Sequence, residues 1–311
     1  MDAKIFKPKI IIICGPTALG KTATAIGLAE TFNGEIVGAD SMQVYKHMDI
    51  GTAKPTRDEQ ACVPHHMIDI VVPDEHFDTQ AYARLAREKV MKLNSRGITP
   101  FIVGGTGLYI KALVHGLFEA GASDPRIRSR LKEEAQIYGS AFLHKRLSRK
   151  DPDTAKKIHP NDAYRIIRAL EVHASTGKTM AQLHREHSFK DNPFDFLKIG
   201  LHINRDRLYD RINRRVDAMI DAGLVGEVTG LLEMGYASNL KSMQSIGYRH
   251  MVDFIQERCE WDETVRTLKR DTRRYAKRQL TWFNADPDLI WAEPEQFSEI
   301  RGRIKKFLQA T

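Results

Sequence analysis

Ile10-Ile11-Ile12-Ile13-Cys14-Gly15-Pro16-Thr17-Ala18-Leu19-Gly20-Lys21-Thr22 decides how this chain is read. The isoleucine run is β-branched and apolar throughout, as a strand buried on both faces requires. The next eight residues spell G-x-x-x-x-G-K-[ST] and lead into a helix-forming segment, the setting in which this spacing cradles phosphate. Its glycines let the backbone turn tightly, so that successive N–H groups converge on phosphate oxygens. The helix starting near Lys21 adds its positive N-terminal end. Lys21 brings a mobile cation, and the Thr22 hydroxyl is suited to holding Mg²⁺. The loop specifies phosphate without saying which phosphate compound, a nucleotide such as ATP included.

Outward from this loop, strand and helix alternate. Lys9–Cys14 reads as a strand, and Lys21–Phe32 as a helix closed by Asn33-Gly34. Glu35–Ala39 is a second strand with Asp40 at its carboxyl end, and Met67–Val71 a further short one. Asp78 is placed as the N-cap of a helix running to Arg96, with Gly97 as terminator. Phe101–Val103 is a buried strand ending in Gly104-Gly105-Thr106-Gly107. This rhythm predicts an α/β fold, a phosphate-loop parallel sheet flanked by helices. In such a sheet ligands lie beyond the carboxyl ends of the strands. Lys21, Asp40 and Thr106 all fall at such ends.

From about Glu119 the pattern becomes helical, with stretches at Pro125–Tyr138, Asp162–Ser175 and Thr179–His187. Residues 119–196 are therefore expected to form an all-helical insertion, joined at Phe118–Ser123 and Lys190–Phe196. Residues 1–118 and 197–311 form the catalytic core. Leu197–Ile203 returns to the sheet, and Leu289–Trp291 is its last short strand.

Composition sets bounds. Of 311 residues, 42% are apolar and 28% charged, proportions of an ordinary globular protein rather than a disordered one. A net charge of +8 favours a polyanionic partner. Cys14, Cys62 and Cys259 are scattered, which implies neither a disulfide framework nor a zinc cluster. No signal peptide or membrane-spanning segment is apparent, so a cytoplasmic protein is expected.

Beside a phosphate loop, Asp40-Ser41-Met42-Gln43 reads as more than an Asx turn, because an aspartate there can accept a proton from an incoming nucleophile. Thr106 can orient a neighbour. Arg266, Arg270, Arg274 and Arg278 repeat at i+4, with Lys269, Arg273 and Lys277 in the adjacent row. On a helix they make a cationic stripe with one acid, Asp271, which an RNA would relieve. Arg207, Arg211 and Arg215 form a second row, and Arg165 and Arg168 a third basic spot. His65-His66 reads as loop packing rather than a metal site, and Trp261, Trp282 and Trp291 as core. The absence of a Walker-B pattern and of Asn-Lys-x-Asp argues against a motor or regulatory GTPase. The residues leave open a small-molecule or nucleoside kinase, a transferase acting on RNA, and a non-catalytic RNA-binding protein.

Eight blocks together resemble the bacterial tRNA dimethylallyltransferases (tRNA isopentenyltransferases). They are GPTALGKT at Gly15–Thr22, DSMQVYKHMDIGTAKP at Asp40–Pro55, PHHMIDI at Pro64–Ile70 and GGTGLYIKAL at Gly104–Leu113. DPRIR at Asp124–Arg128, HPNDAYRIIRALEV at His159–Val172, QSIGYR at Gln244–Arg249 and KRQLTWF at Lys277–Phe283 complete the set. Leu19 departs from the small or β-branched residue common there, with both glycines and Lys-Thr intact. The resemblance implies transfer of a dimethylallyl group from dimethylallyl diphosphate to N6 of the adenosine immediately 3′ of a tRNA anticodon.

The same resemblance implies site residues. Gly15, Pro16, Thr17, Ala18, Leu19, Gly20, Lys21, Thr22 and Arg215 would bind the diphosphate, with Mg²⁺ near Thr22. Asp40, Thr106 and Lys21 would serve catalysis. The tRNA anticodon stem-loop would meet Asp40-Ser41-Met42-Gln43, Thr106, Arg128 and Tyr164-Arg165-Ile166-Ile167-Arg168. It would also meet Gln244-Ser245-Ile246-Gly247-Tyr248-Arg249 and Lys277-Arg278-Gln279-Leu280-Thr281-Trp282-Phe283-Asn284. The helical insertion would close over that stem, and a monomer is expected to act.

Overall fold

In the computed structural model, which describes residues 7–117, 124–187 and 191–310, the isoleucine run alternates between two cores. Ile10, Ile12 and Cys14 enter one apolar cluster and Ile11 and Ile13 the other, all fully buried. That is why the strand is continuously apolar: each face of its sheet is covered.

The chain divides into two compact units, Met1–Val114 with Pro193–Thr311, and His115–Asn192. The larger unit begins with β1 (Lys9–Cys14), α1 (Lys21–Thr31), β2 (Gly34–Gly38), α2 (Arg57–Cys62), β3 (His65–His66), α3 (Thr79–Ser95), β4 (Thr99–Gly104) and α4 (Gly107–His115). The smaller unit holds α5 (Pro125–Tyr138), α6 (Ser140–Lys150), α7 (Pro152–Ala155), α8 (Ala163–Thr176) and α9 (Met180–His187). The larger one resumes with β5 (Asp195–Leu201), α10 (Arg205–Asp221), α11 (Leu224–Glu233) and α12 (Tyr248–Ile255). It closes with α13 (Trp261–Asn284), β6 (Leu289–Ala292) and α14 (Phe297–Gln309).

All six strands are parallel, in the order β3-β2-β4-β1-β5-β6. Ile11 pairs with Phe101 of β4 and Leu197 of β5, which makes β1 a central strand. Helix α1 packs Ala25, Leu28 and Ala29 on one face, while α3 packs Tyr82, Ala86, Val90 and Leu93 on the other. The chain leaves β1 toward β2 and later returns to its other side as β5. Its carboxyl end is thus a switch point, where an open α/β sheet forms a crevice. Asp78 Oδ1 accepts from the N–H groups of Gln80 (3.0 Å) and Ala81 (2.9 Å) and starts α3 as its N-cap.

The expected strand at Met67–Val71 is corrected. Strand pairing with β2 occurs at His65–His66, and Met67 (φ 63°) and Asp69 (φ 52°) then leave the extended region. Ile70 N–H instead donates to Val44 O (2.8 Å), so this segment braces the loop after β2. Strand β5 starts at Asp195, two residues before the expected position. The junction Phe118–Ser123 and Lys190 lie outside the described residues.

The smaller unit has its own core of Leu131, Leu143, Leu147, Ile166, Ile167 and Leu170. Asp124 caps α5, Pro125 fills its first helical position, and Asp162 caps α8. Among the described residues no helix is long and apolar enough to cross a membrane.

Candidate active site

The loop between β1 and α1 is anchored from two directions. Gly20 takes φ 73° just before the helix, a left-handed conformation that glycine adopts without a Cβ penalty. Lys21 Nζ donates to Pro16 O (2.7 Å), so the lysine folds back over its own loop. Thr17 N–H donates to Gln279 Oε1 (3.0 Å), and Gln279 Nε2 donates to Gly105 O (2.9 Å). The buried amide thus ties the phosphate loop to the turn after β4. Gly105 has no room for a side chain, because a Cβ there would lie 2.2 Å from Gln279 Nε2.

Asp40 extends from the end of β2. Its Oδ1 accepts from the N–H groups of Met42 (2.9 Å) and Gln43 (3.4 Å). The Asx turn and the catalytic reading therefore coexist: one oxygen shapes the loop, and no hydrogen bond from the described residues reaches the other. Thr106 Oγ1 accepts from Ser41 N–H (3.1 Å), and Thr106 N–H donates to Ala39 O (3.1 Å). Gln43 Nε2 donates to Thr52 O (3.2 Å) and Ala53 O (3.0 Å).

These pieces surround a cavity of about 410 Å³ in the larger unit. Thr17 through Thr22 and Arg215 line one part of it, Asp40 through Gln43 another, and Val216, Met219 and Leu268 add an apolar wall. Gly15 and Pro16 are buried beneath the loop, and Thr106 stands behind Ser41 rather than in the wall. Burial, then the nearby Arg215 charge, lower the Lys21 ammonium to about 8, against the opposing pull of Asp40. Burial lowers Arg215 as well, again opposed by Asp40. Two partly desolvated cations face one carboxylate, an imbalance that an anionic ligand corrects.

Among the described residues no group of three or more His, Cys, Asp or Glu side chains is placed to hold a metal. The cavity does offer hard oxygen donors in the Thr22 hydroxyl and the Asp40 carboxylate. Mg²⁺ is commonly bound by one or two carboxylates together with ligand phosphates, so the donor set fits it. His66 Nε2 is bonded to Glu35 Oε2 (2.5 Å) and His65 Nδ1 contacts Val63 O (2.7 Å), both packing interactions.

The expected RNA-facing positions fall into different environments. Gln244, Ser245, Ile246, Gly247, Arg278 and Gln279 line the cavity, and the Ser245 hydroxyl is buried with no partner among the described residues. Tyr164, Arg165, Lys277, Thr281, Trp282 and Asn284 are exposed, and Arg128 lies over the Tyr164 ring. The side chains of Ile166, Ile167, Tyr248 and Phe283 are buried in apolar clusters. Arg168 is bonded to the fully buried Glu171 (3.1 Å), which gives it a structural partner. Arg249 is bonded to Asp271 (2.6 Å).

The cationic stripe is less continuous than its sequence suggests. Arg266 makes two hydrogen bonds to Glu263, Lys269 pairs with Asp217 of α10 (2.6 Å), and Arg273 donates to Asn213 (2.6 Å). Arg274 remains 64% exposed, beside exposed Lys277 and Arg278. The reading of residues missed Tyr275, which lines the cavity, and the bridging role of Gln279. They lie one turn apart on α13 and line the cavity together with Arg278, the last residue of the stripe, so their i,i+4 spacing is the signal that could have found them.

A phosphate loop, two cations and a carboxylate at the switch point of a parallel sheet define a phosphate-loop enzyme with an apolar wall beside its anion site. The family model for IPP transferase matches residues 43–286. The chain is 54% identical to the tRNA dimethylallyltransferase of Desulfosudis oleivorans, over 97% of each chain. It is 49% identical to that of Geobacter sulfurreducens, also over 97% of each. The solved tRNA isopentenylpyrophosphate transferase of Bacillus halodurans superposes with TM-score 0.73 at 42% identity, covering 97% of both chains. A eukaryotic dimethylallyltransferase acting on tRNA superposes with TM-score 0.78 at 28% identity, over 92% of this chain and 74% of that one. The chain belongs to the IPP transferase family.

Proposed function

We propose that this enzyme transfers a dimethylallyl group from dimethylallyl diphosphate to N6 of the adenosine immediately 3′ of a tRNA anticodon, releasing diphosphate. The observation that carries the reading is the meeting of Lys21, Arg215 and Asp40 in one cavity beside an apolar wall. A kinase shares the loop and the acid, but the phosphoryl group it transfers has no hydrocarbon for an apolar wall to shield.

The acting residues follow from charge. The backbone N–H groups of Ala18–Thr22, with Lys21 and Arg215, neutralise the diphosphate as the carbon–oxygen bond breaks and negative charge develops on the leaving group. Thr22 would hold Mg²⁺, which shares that neutralisation when bound. Val216, Met219 and Leu268 shield the hydrocarbon from water. The nucleophile is an exocyclic amine whose lone pair is delocalised into the ring, so it needs a base, and the free oxygen of Asp40 takes the proton. Thr106 steadies this arrangement through Ser41. The target base must leave its stack, which costs a few kcal/mol and less in a loop than in a duplex. The partner is therefore the anticodon stem-loop, met by a monomeric, cytoplasmic enzyme.

The test is nucleoside mass analysis of tRNA incubated with the protein, dimethylallyl diphosphate and Mg²⁺. One added dimethylallyl group on the adenosine next to the anticodon is expected. Unmodified tRNA, or a modification elsewhere, overturns the proposal.

A further inference from the structure

Outside the phosphate side of the cavity, one carboxylate collects an unusual set of donors. Glu227, in the first turn of α11, accepts from the backbone N–H groups of Asp49 (2.8 Å) and Ile50 (2.7 Å) at Oε2. Its Oε1 accepts from Gly51 N–H (3.1 Å) and the Tyr248 hydroxyl (2.6 Å). Three successive N–H groups turned toward one anion form a nest, here filled by the protein's own side chain. The Tyr248 ring lies against the same segment, where a Cβ on Gly51 would come within 2.5 Å of it.

The next two residues of that segment hold the active site. Thr52 O and Ala53 O accept both hydrogen bonds of the Gln43 side-chain amide, and Gln43 N–H donates to Asp40 Oδ1. Gln43, Gly51, Thr52, Ala53 and Gly247 all line the cavity. A continuous series of hydrogen bonds thus runs from Glu227 through residues 49–53 to Gln43 and the loop of the proposed base. No hydrogen bond in this series goes to the phosphate loop.

We infer that Glu227 is a positioning residue for the acceptor side of the cavity, acting through the 49–53 segment on Gln43. The inference rests on the reading of that side as the place where the tRNA base is received. Its function is to keep an otherwise irregular segment in one conformation, so that the Gln43 amide meets the incoming base already oriented.

Hydrogen exchange and steady-state kinetics on the full-length protein test this. In Glu227→Gln the new amide turns donors toward donors. Exchange at Asp49–Gly51 is expected to accelerate, while the phosphate loop keeps its protection. KM for tRNA should rise roughly 10-fold with KM for dimethylallyl diphosphate unchanged, the scale of one or two lost charge-assisted hydrogen bonds. Glu227→Gln combined with Gln43→Ala should be no worse than Gln43→Ala alone, because the two act in series. Tyr248→Phe keeps the ring and removes a single donor, so it should shift KM for tRNA the same way by less. It decides the matter if Glu227→Gln does not fold. Unchanged exchange at 49–51, additive losses, or a parallel rise in donor KM overturns the inference. A wild-type protein that prenylates nothing would sink the functional reading instead, leaving the exchange result to judge the positioning.

Discussion

Gln279 and Thr17 lie 262 residues apart in sequence and share a 3.0 Å hydrogen bond, from the Thr17 backbone N–H to the Gln279 amide oxygen. The same amide donates to Gly105 O, so a side chain on α13 fixes the spacing between the phosphate loop and the turn after β4. The long helix therefore contributes to the active site twice, with an amide on its buried face and cations on its outer one.

Gln279→Leu keeps the volume and removes both bonds, leaving Thr17 N–H and Gly105 O unsatisfied. A buried group stripped of its partner costs about 1–3 kcal/mol. KM for dimethylallyl diphosphate should rise and the thermal midpoint should fall, both measurable on one preparation. An unaltered donor KM would mean that the loop is held without the amide.

The Lys21 ammonium gives the donor site a pH dependence. In the free protein it is lowered to about 8 by burial and by Arg215. A bound diphosphate favours the charged form and raises that value, so binding takes up a proton wherever free Lys21 has lost its own. Affinity should be level below about pH 8 and fall above it by up to roughly tenfold per pH unit. Calorimetry of diphosphate binding in buffers of different ionisation enthalpy reads the proton uptake directly. Lys21→Met should bind more weakly and show none of it.

Arg215 should serve the donor and not the RNA. Arg215→Ala is expected to raise KM for dimethylallyl diphosphate and slow turnover by about 10- to 150-fold, the range of a charged hydrogen bond of roughly 1.5–3 kcal/mol. Affinity for tRNA, measured by filter binding, should stay near wild type. A loss confined to tRNA binding would move the residue to the other side of the site.

Charges on α13 should differ in their effect on RNA binding. Arg274 and Arg266 are equally exposed, but Arg266 makes two 2.6 Å hydrogen bonds to Glu263, whereas Arg274 has a looser 3.6 Å ion pair with Asp271. Arg274→Ala should weaken tRNA binding and lower the log–log salt slope by roughly 0.7–0.9, one phosphate contact. Arg266→Ala should leave the slope unchanged. Equal slopes in both variants and wild type would make the whole stripe a solvated face.

Where the candidate site is built from neighbours in sequence, the residues alone placed it. The isoleucine strand and the glycine loop form one local unit, and Asp40 and Thr106 follow strands that the parallel-sheet rule brings to the same edge. Long-range partners left no such trace. Nothing near Glu227 signals that its carboxylate fills a nest 176 residues away at Gly51. The stripe from Arg266 to Arg278 looks uncompensated because one of its counter-charges, Asp217, is on α10. Ile166, Ile167, Tyr248 and Phe283 sit within blocks of RNA-facing character, yet burial removes their side chains from the surface. Residues 67–71 carry the β-branched Ile68, Ile70 and Val71 of a strand, but the left-handed Met67 and Asp69 break it.

The central claim is that the cavity breaks a carbon–oxygen bond with Asp40 as the base, and single-turnover chemistry tests it most directly. Purified protein mixed with tRNA, Mg²⁺ and dimethylallyl diphosphate, free of ATP, should yield prenylated adenosine and diphosphate in equal amounts. Asp40→Asn should bind both substrates and slow that step by roughly 10²–10⁴. Phosphoryl transfer from ATP to a small acceptor with no tRNA product, or an Asp40→Asn rate equal to wild type, would contradict the account.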